Sequence, residues 1–181
     1  DLKSVFPALL NATGPNEELR IWIPACSTGE EAYSIAMLMH ETMENMGAKR
    51  DVQIFATDID QVALEIARAG AYPENIVSDV SKERLTRFFS KTKNTYVVGN
   101  ELRRLLVFSS HDVIKDPPFS RMDLISCRNL LIYMKTELQS RVLGLFHYAL
   151  NDSGFLILGN SETAGAAQDL FTEYNRKLHL Y

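Results

Sequence analysis

One stretch decides the fold of this 181-residue chain: Arg20-Ile-Trp-Ile-Pro-Ala-Cys-Ser-Thr-Gly-Glu-Glu-Ala-Tyr-Ser-Ile-Ala36. It begins with apolar residues, Ile21 to Ile23, whose β-branched and aromatic side chains predict a buried strand. A turn of small residues follows, and apolar residues then recur at helical spacing. A strand, a short polar turn and a helix in this order form the first unit of a parallel α/β sheet. We expect a ligand over the carboxyl end of that strand.

The residues of the turn predict a ligand without phosphate groups. A phosphate-binding turn is rich in glycine and carries no negative charge. Here only Gly29 precedes the helix, and Glu30 and Glu31 open it. These two carboxylates would repel a pyrophosphate, although an alternative is that they only favour the first helical turn. A ligand with hydroxyls and positive charge fits better, and S-adenosylmethionine has ribose hydroxyls, a sulfonium and an ammonium.

Composition indicates one globular domain and excludes several classes of function. A chain of 181 residues with 46% hydrophobic residues can bury a substantial core. The formal net charge of −4 and the lack of a dense Lys/Arg run argue against nonspecific nucleic-acid binding. No apolar run approaches the roughly 20 residues that span a bilayer. Cys26 and Cys127 fit neither a disulfide framework nor a zinc site. We therefore expect no metal, no membrane insertion and a cytoplasmic location.

Further alternation of strands and helices supports an α/β class with one inserted segment. We predict helices at about residues 2–10, 30–46, 61–68, 81–89 and 136–150, and strands at about 19–24, 52–56, 122–127 and 155–158. Short strands at 95–98 and 105–108 predict a small β-subdomain inserted at about residues 90–108. Residues 171–174 and 178–181 predict a closing antiparallel hairpin.

Polar residues follow several of the predicted strands. Asp58 ends the second strand, where a carboxylate can accept two hydrogen bonds from a ribose diol. Either Asp58 or Asp60 is also suited to cap the next helix, and we predict that Asp60 caps and Asp58 binds. Taken alone, Arg128 is more typical of an ion pair with a carboxylate at the sheet edge, and Asn129 of a cap for the following turn. Tyr133 taken alone is typical of a core aromatic residue.

Four motifs taken together resemble the chemoreceptor glutamate methyltransferases, the CheR family. They are Ala25-Cys-Ser-Thr-Gly-Glu-Glu-Ala-Tyr-Ser-Ile-Ala36, Phe55-Ala-Thr-Asp-Ile-Asp60, Ser126-Cys-Arg-Asn-Leu-Leu-Ile-Tyr133 and Gly159-Asn-Ser-Glu162. The resemblance covers about residues 19–181 with motif order kept. The sequence from Asp116 to Tyr133 is most similar to the methyltransferase domain of methylesterase–methyltransferase fusion sensors. For residues 1–181 the resemblance implies a Rossmann-like sheet of the class I methyltransferases that use S-adenosylmethionine.

The resemblance also implies an activity and a set of site residues. The family methylates glutamate side chains on cytoplasmic helices of chemoreceptors or similar signalling proteins, and leaves S-adenosylhomocysteine as product. Glu31 matches a contact to the methionine end of the cofactor, and Asp58 a contact to the ribose. Asp112 and Val113 match the pair that flanks the adenine. Arg128 and Asn129 match a further cofactor-contacting pair, and Arg128 and Tyr133 are the expected catalytic residues.

Two features depart from the family pattern. Its members carry an amino-terminal helical domain that adds cofactor contacts, and we expect this domain to be absent here, which would weaken affinity and turnover. The loop Lys91-Thr-Lys-Asn-Thr95 is shorter than the loop that docks a receptor pentapeptide in some members, so we do not expect that tethering. One alternative is a regulatory module of a larger sensor that binds the cofactor without methyl transfer. Another is a nicotinamide oxidoreductase, which Glu30 and Glu31 disfavour.

Overall fold

Five parallel strands form the central sheet of the computed structural model, which describes residues 5–14 and 17–181. The strands are Leu19–Pro24 (β1), Val52–Asp58 (β2), Leu106–Ser110 (β6), Met122–Cys127 (β7) and Leu150–Leu158 (β8), in the order β6-β2-β1-β7-β8. The chain builds one half outward from β1 through β2 and then returns to the other side of β1 with β7. The carboxyl ends of β1 and β7 are therefore the topological switch point, where ligands bind in such sheets.

Strand β1 is buried on both faces, as expected for the centre of a parallel sheet. Ile21 and Ile23 pack into the core cluster that includes the first two helices, while Trp22 points into the cluster on the opposite face. Trp22 is fully buried, and its indole N–H donates to Thr57 Oγ1 at 3.0 Å. Its ring also packs edge-on against Phe146. The predicted strand is confirmed, and it divides the core into two layers.

Six α-helices lie in the described ranges, and their ends follow from local sequence. They are Val5–Ala12 (α1), Glu30–Met46 (α2), Gln61–Ala69 (α3), Lys82–Phe88 (α4), Asn100–Arg103 (α5) and Thr136–Ala149 (α6). Gly47 ends α2 in the left-handed conformation, with φ 61°. Asp60 caps α3, because its side chain accepts hydrogen bonds from the N–H groups of Val62 and Ala63. The predicted start of the first helix at Leu2 lies outside the described residues.

The inserted β-subdomain differs from the prediction. Ala71–Pro73 (β3), Phe89–Thr92 (β4) and Thr95–Val98 (β5) form a small antiparallel sheet in the order β3-β5-β4. The prediction that the 105–108 strand belongs to this unit was wrong, since β6 pairs in parallel with β2 in the central sheet. Strands β3 and β4 were both missed, β3 because its proline is typical of a bend and β4 because Phe89 was assigned to the preceding helix. An edge strand tolerates proline, since the missing N–H costs no ladder bond there.

The chain closes with less regular pairing than a hairpin. Leu180 pairs antiparallel with Ile157 of β8 and with Asn175 through isolated bridges. Residues 171–174 form no strand. The Asn175 side chain accepts hydrogen bonds from Lys177 and Leu178, which folds the chain into a tight 3₁₀ turn. The last segment therefore joins the sheet antiparallel, as expected, but without a second strand beside it. Within the described ranges, no helix is both long and apolar enough to cross a membrane.

Candidate functional site

The turn after β1 has an unusual backbone. Ala25 and Ser27 have φ values of 55° and 48°, although neither is glycine, and Gly29 has φ 90°. Left-handed backbone at a residue with a Cβ costs on the order of 1 kcal/mol or more. The N–H of Cys26 donates to the carbonyl of Thr57 at 2.9 Å, which ties the turn to the end of β2. Strained backbone held by its surroundings is a common feature of binding sites.

Asp58 lies on the β2 side of this turn and is bound to it. Its Oδ2 accepts a hydrogen bond from the N–H of Ser27 at 2.8 Å, and its Oδ1 accepts one from the N–H of Asp60 at 2.9 Å. The residue is half-buried. A carboxylate has about four acceptor positions, so both oxygens can still accept hydrogen bonds from a ligand. The structure thus places Asp58 at the carboxyl end of β2 and Asp60 in the separate role of helix cap.

Glu31 lies on the β7 side of the same turn. Its Oε1 accepts a hydrogen bond from the hydroxyl of Ser126 at 2.6 Å. Burial raises the pKa of Glu31 above its ordinary range, and the negative charge of Glu162 acts in the same direction. The Ser126 hydrogen bond and the positive charge of Arg128 lower it. Sequence reasoning missed Ser126, and its signal was a hydroxyl near the carboxyl end of a buried strand.

The carboxylate of Asp112 forms its hydrogen bonds within its own loop, at the carboxyl end of β6. Its Oδ1 accepts hydrogen bonds from the N–H groups of Ile114 and Lys115, and its Oδ2 lies 3.2 Å from Lys115 Nζ. The Ile114 hydrogen bond lowers the pKa of Asp112 below its ordinary range. Val113 is half-buried and packs against the core cluster around Trp22. The carboxylate thus shapes the loop that presents Val113.

Three predicted site residues lie on the loop after β7. Arg128 and Asn129 are both exposed, and Asn129 has φ 59°. Tyr133 ends the 3₁₀ turn Leu131–Tyr133 with 83% of its surface exposed. Its hydroxyl has no hydrogen-bond partner within residues 5–14 and 17–181. The core interpretation of Tyr133 was therefore wrong, because this side chain faces outward beside the end of the sheet.

Taken together, the structure places acceptors on both sides of the end of β1. Asp58 lies toward β2, and Glu31 lies toward β7 with Arg128 close enough for its charge to act on it. Asp112 and Val113 follow the next strand outward, beyond β2. Such an arrangement can bind a ligand that lies across the sheet end, with hydroxyls at one side and positive charge at the other.

Comparison with known proteins shows the family to which this sequence belongs. Residues 2–179 match the family model described as CheR methyltransferase, SAM binding domain. The chain is 41% identical over 170 residues to an uncharacterized 104.1 kDa protein of Rhodobacter capsulatus. The aligned region covers 94% of this chain and 18% of that protein. It is 35% identical over 170 residues to chemotaxis protein methyltransferase 1 of Pseudomonas aeruginosa, with 91% of this chain and 62% of that protein covered. The chain thus spans only part of each relative.

A solved structure shows the same fold. The chain resembles the apo form of the S-adenosylmethionine-dependent methyltransferase SibL with a TM-score of 0.51 and 14% sequence identity, over 95% of this chain and 39% of that one. At this low identity the likeness supports the class of fold alone. It agrees with the predicted α/β sheet of the class I methyltransferases.

Proposed function

Because the chain belongs to the CheR methyltransferase family, we propose that it transfers a methyl group from S-adenosylmethionine to glutamate side chains of a chemoreceptor-type signalling protein. The matched family unit is the SAM-binding domain, and S-adenosylmethionine is its cofactor. The activity, the substrate and the partner are proposals, because the chain spans only part of its relatives. The alternative of a regulatory binding module is not favoured, since relatives such as the Pseudomonas aeruginosa protein are named as methyltransferases.

The observation that carries this proposal is the pair of carboxylates on either side of the end of β1. We propose that Asp58 accepts hydrogen bonds from the ribose hydroxyls of the cofactor, using the lone pairs that Ser27 and Asp60 leave open. Glu31, held by Ser126, would lie at the positively charged methionine end. A dinucleotide would bring its pyrophosphate close to these carboxylates, which is unfavourable.

The remaining predicted contacts are assigned by position. We propose that Val113 provides apolar surface against the adenine, while Asp112 holds the shape of that loop through its own hydrogen bonds. Asn129 and Arg128 would meet the cofactor from the loop after β7. The exposure of Arg128, Asn129 and Tyr133 supports these roles, because their side chains are open to a ligand or partner.

The proposed reaction needs positioning more than proton transfer. When bound, the cofactor supplies an electrophilic methyl group on a sulfonium. A carboxylate oxygen of the substrate would accept that methyl group, and the electron pair of the broken carbon–sulfur bond would stay on the sulfur. Arg128 and Tyr133 would orient the substrate carboxylate by donating hydrogen bonds. They must not bind it too strongly, because stabilising the ground state more than the transition state slows the reaction.

Replacement of Arg128 by alanine or of Tyr133 by phenylalanine should lower the rate of methyl transfer about tenfold or more, because each removes a group that orients the substrate. The rate is measured as base-labile radioactive methyl groups incorporated into purified chemoreceptor cytoplasmic fragments. Tyr148→Phe is the matched control, since Tyr148 is 73% exposed on α6, away from the strand ends. Rates unchanged in both site variants would remove these two role assignments.

Glu31→Gln should weaken binding of S-adenosylhomocysteine about tenfold at neutral pH, because an anion at the ammonium end is lost. Its effect on stability has the opposite sign. Burial raises the pKa of Glu31, so the protonated carboxyl favours the fold below its ordinary pKa, and this contribution is lost as pH rises through the raised pKa. The neutral glutamine avoids that loss, so the melting temperature of the variant should exceed that of the wild type at neutral pH.

Thermal unfolding followed from about pH 4 to about pH 8 tests this sign, and the two curves should converge at the acid end. Calorimetric titration with S-adenosylhomocysteine measures the affinity in parallel. A variant that binds as tightly as the wild type and is less stable at neutral pH would contradict both the position and the charge state assigned to Glu31.

A further inference from the structure

One buried carboxylate connects two of the strand-end loops. Glu162 is only 4% exposed and follows β8. Its Oε2 accepts hydrogen bonds from the N–H of Asn129 at 2.8 Å and from the N–H of Gly159 at 2.7 Å. Its Oε1 accepts a hydrogen bond from the N–H of Leu131 at 2.7 Å. The loop after β7 and the loop after β8 are thus held by a single side chain.

The backbone around Glu162 is adapted to this contact. A Cβ built on Gly159 would lie 2.5 Å from Glu162 Oε2, so the position leaves no room for a side chain. Asn129 has left-handed backbone, which asparagine tolerates better than most residues, and this conformation accompanies the N–H contact to the carboxylate. The motifs Arg128-Asn129 and Gly159-Asn-Ser-Glu162 therefore meet at one carboxylate.

Glu162 holds the loop that carries the proposed site residues. Asn129, whose N–H it binds, directly follows Arg128. Leu131, whose N–H it also binds, begins the 3₁₀ turn that ends at Tyr133. None of the ion pairs formed within residues 5–14 and 17–181 includes this carboxylate. A buried anion is costly, and three N–H donors offset part of that cost.

We propose that Glu162 is a positioning residue, whose carboxylate fixes Asn129 and the turn that carries Tyr133 in the arrangement that cofactor binding and methyl transfer require. This inference rests on the proposed function. It assigns Glu162 no contact with the cofactor, and its effect passes through the backbone of the loop after β7.

The charge of Glu162 provides a readout that a purely structural role would not change. Glu162 raises the pKa of Glu31, whereas Arg128 and the Ser126 hydrogen bond lower it. The thiols of Cys26 and Cys127 also face this region, and burial raises the pKa of each, that of Cys26 to about 12, so both stay neutral. Removing the Glu162 charge should therefore lower the pKa of Glu31.

Two variants disturb the same contacts in different ways. Glu162→Gln keeps the size of the side chain but removes the charge and places an amide NH₂ among N–H donors. Gly159→Ala keeps the charge but forces the carboxylate aside. Gly144→Ala is the matched control for the second variant, because nothing lies within 4 Å of a Cβ at Gly144 in α6. Glu173→Gln at an exposed position is the control for the first.

Calorimetric titration with S-adenosylhomocysteine across pH is the test, with circular dichroism showing that each variant is folded at the working temperature. We expect Glu162→Gln and Gly159→Ala each to weaken binding about tenfold or more, and both controls to stay within about twofold of the wild type. The pH at which affinity falls on acidification should move lower in Glu162→Gln only.

Two results would overturn the proposal. One is wild-type affinity in both Glu162→Gln and Gly159→Ala. The other is a fall in affinity in Glu162→Gln with the same acid dependence as the wild type, which would leave Glu162 with no more than a general structural role. Failure of the proposed function would look different, because the wild-type chain itself would then not bind S-adenosylhomocysteine.

Discussion

Asp58→Ala should weaken binding of S-adenosylhomocysteine by about 1–3 kcal/mol, the loss expected when charge-assisted hydrogen bonds to the ribose hydroxyls are removed. The carboxylate also accepts the N–H groups of Ser27 and Asp60, so its removal releases the turn that forms the centre of the site. Both effects act in the same direction, and isothermal titration calorimetry measures their sum.

The matched control is Asp60→Ala, two residues along the chain. It removes the cap of α3, which costs about 0.5–2 kcal/mol of folding stability, but takes no proposed contact from the ligand. Its affinity for S-adenosylhomocysteine should stay close to that of the wild type at temperatures where it is folded. Equal losses of affinity in the two variants would show that the ribose is not bound by Asp58.

Gly29→Ala should be the most damaging single change in the turn, with a loss of more than about 2 kcal/mol in the free energy of unfolding. Its φ of 90° is rarely adopted by a residue with a Cβ. The added carbon would also lie 2.9 Å from the Cβ of Ala67 and 3.2 Å from the hydroxyl of Tyr72. That hydroxyl donates to the carbonyl of Thr28, so a shift of Tyr72 disturbs the turn further.

Gly47→Ala separates the cost of the left-handed backbone from the cost of the close contacts. Gly47 also has left-handed backbone, with φ 61°, but nothing lies within 4 Å of a Cβ built there. This variant should lose about 1 kcal/mol, the conformational term alone. Urea unfolding of both proteins gives the difference. If Gly29→Ala is no less stable than Gly47→Ala, the close packing assigned to the turn is wrong.

The parts of the fold that were predicted correctly are those with a strong local signal. The β1–turn–α2 unit was predicted because buried β-branched residues precede a helical pattern, and the cap at Asp60 because its side chain suits that position. Strand β6 was assigned to the wrong sheet. Its apolar residues identify a strand but not the strand with which it pairs. Leu106 pairs with Ile54, which is far away in the sequence, so no local pattern indicates this pairing.

The sequence predicted where the two carboxylates lie in the fold, but not the hydrogen bonds that hold them. Asp58 ends β2, and Glu31 lies in the first turn of α2, where its carboxylate accepts the hydrogen bond from Ser126 of β7. The hydrogen bond from Ser126 to Glu31 joins residues 95 positions apart, so no local pattern could reveal it. Tyr133 is an aromatic residue of a type that often lies in a core. In the structure it ends a 3₁₀ turn and is exposed. Contacts formed by the tertiary fold, rather than residue types, account for these differences.

The central claim is that a phosphate-free, positively charged nucleoside lies across the end of β1, with its hydroxyls at Asp58 and its amino-acid end at Glu31. Isothermal titration calorimetry of the chain with S-adenosylhomocysteine and, separately, with NAD⁺ tests it directly. We predict saturable binding of S-adenosylhomocysteine at one site and no comparable binding of NAD⁺. Tighter binding of NAD⁺, or no binding of S-adenosylhomocysteine, would contradict the account.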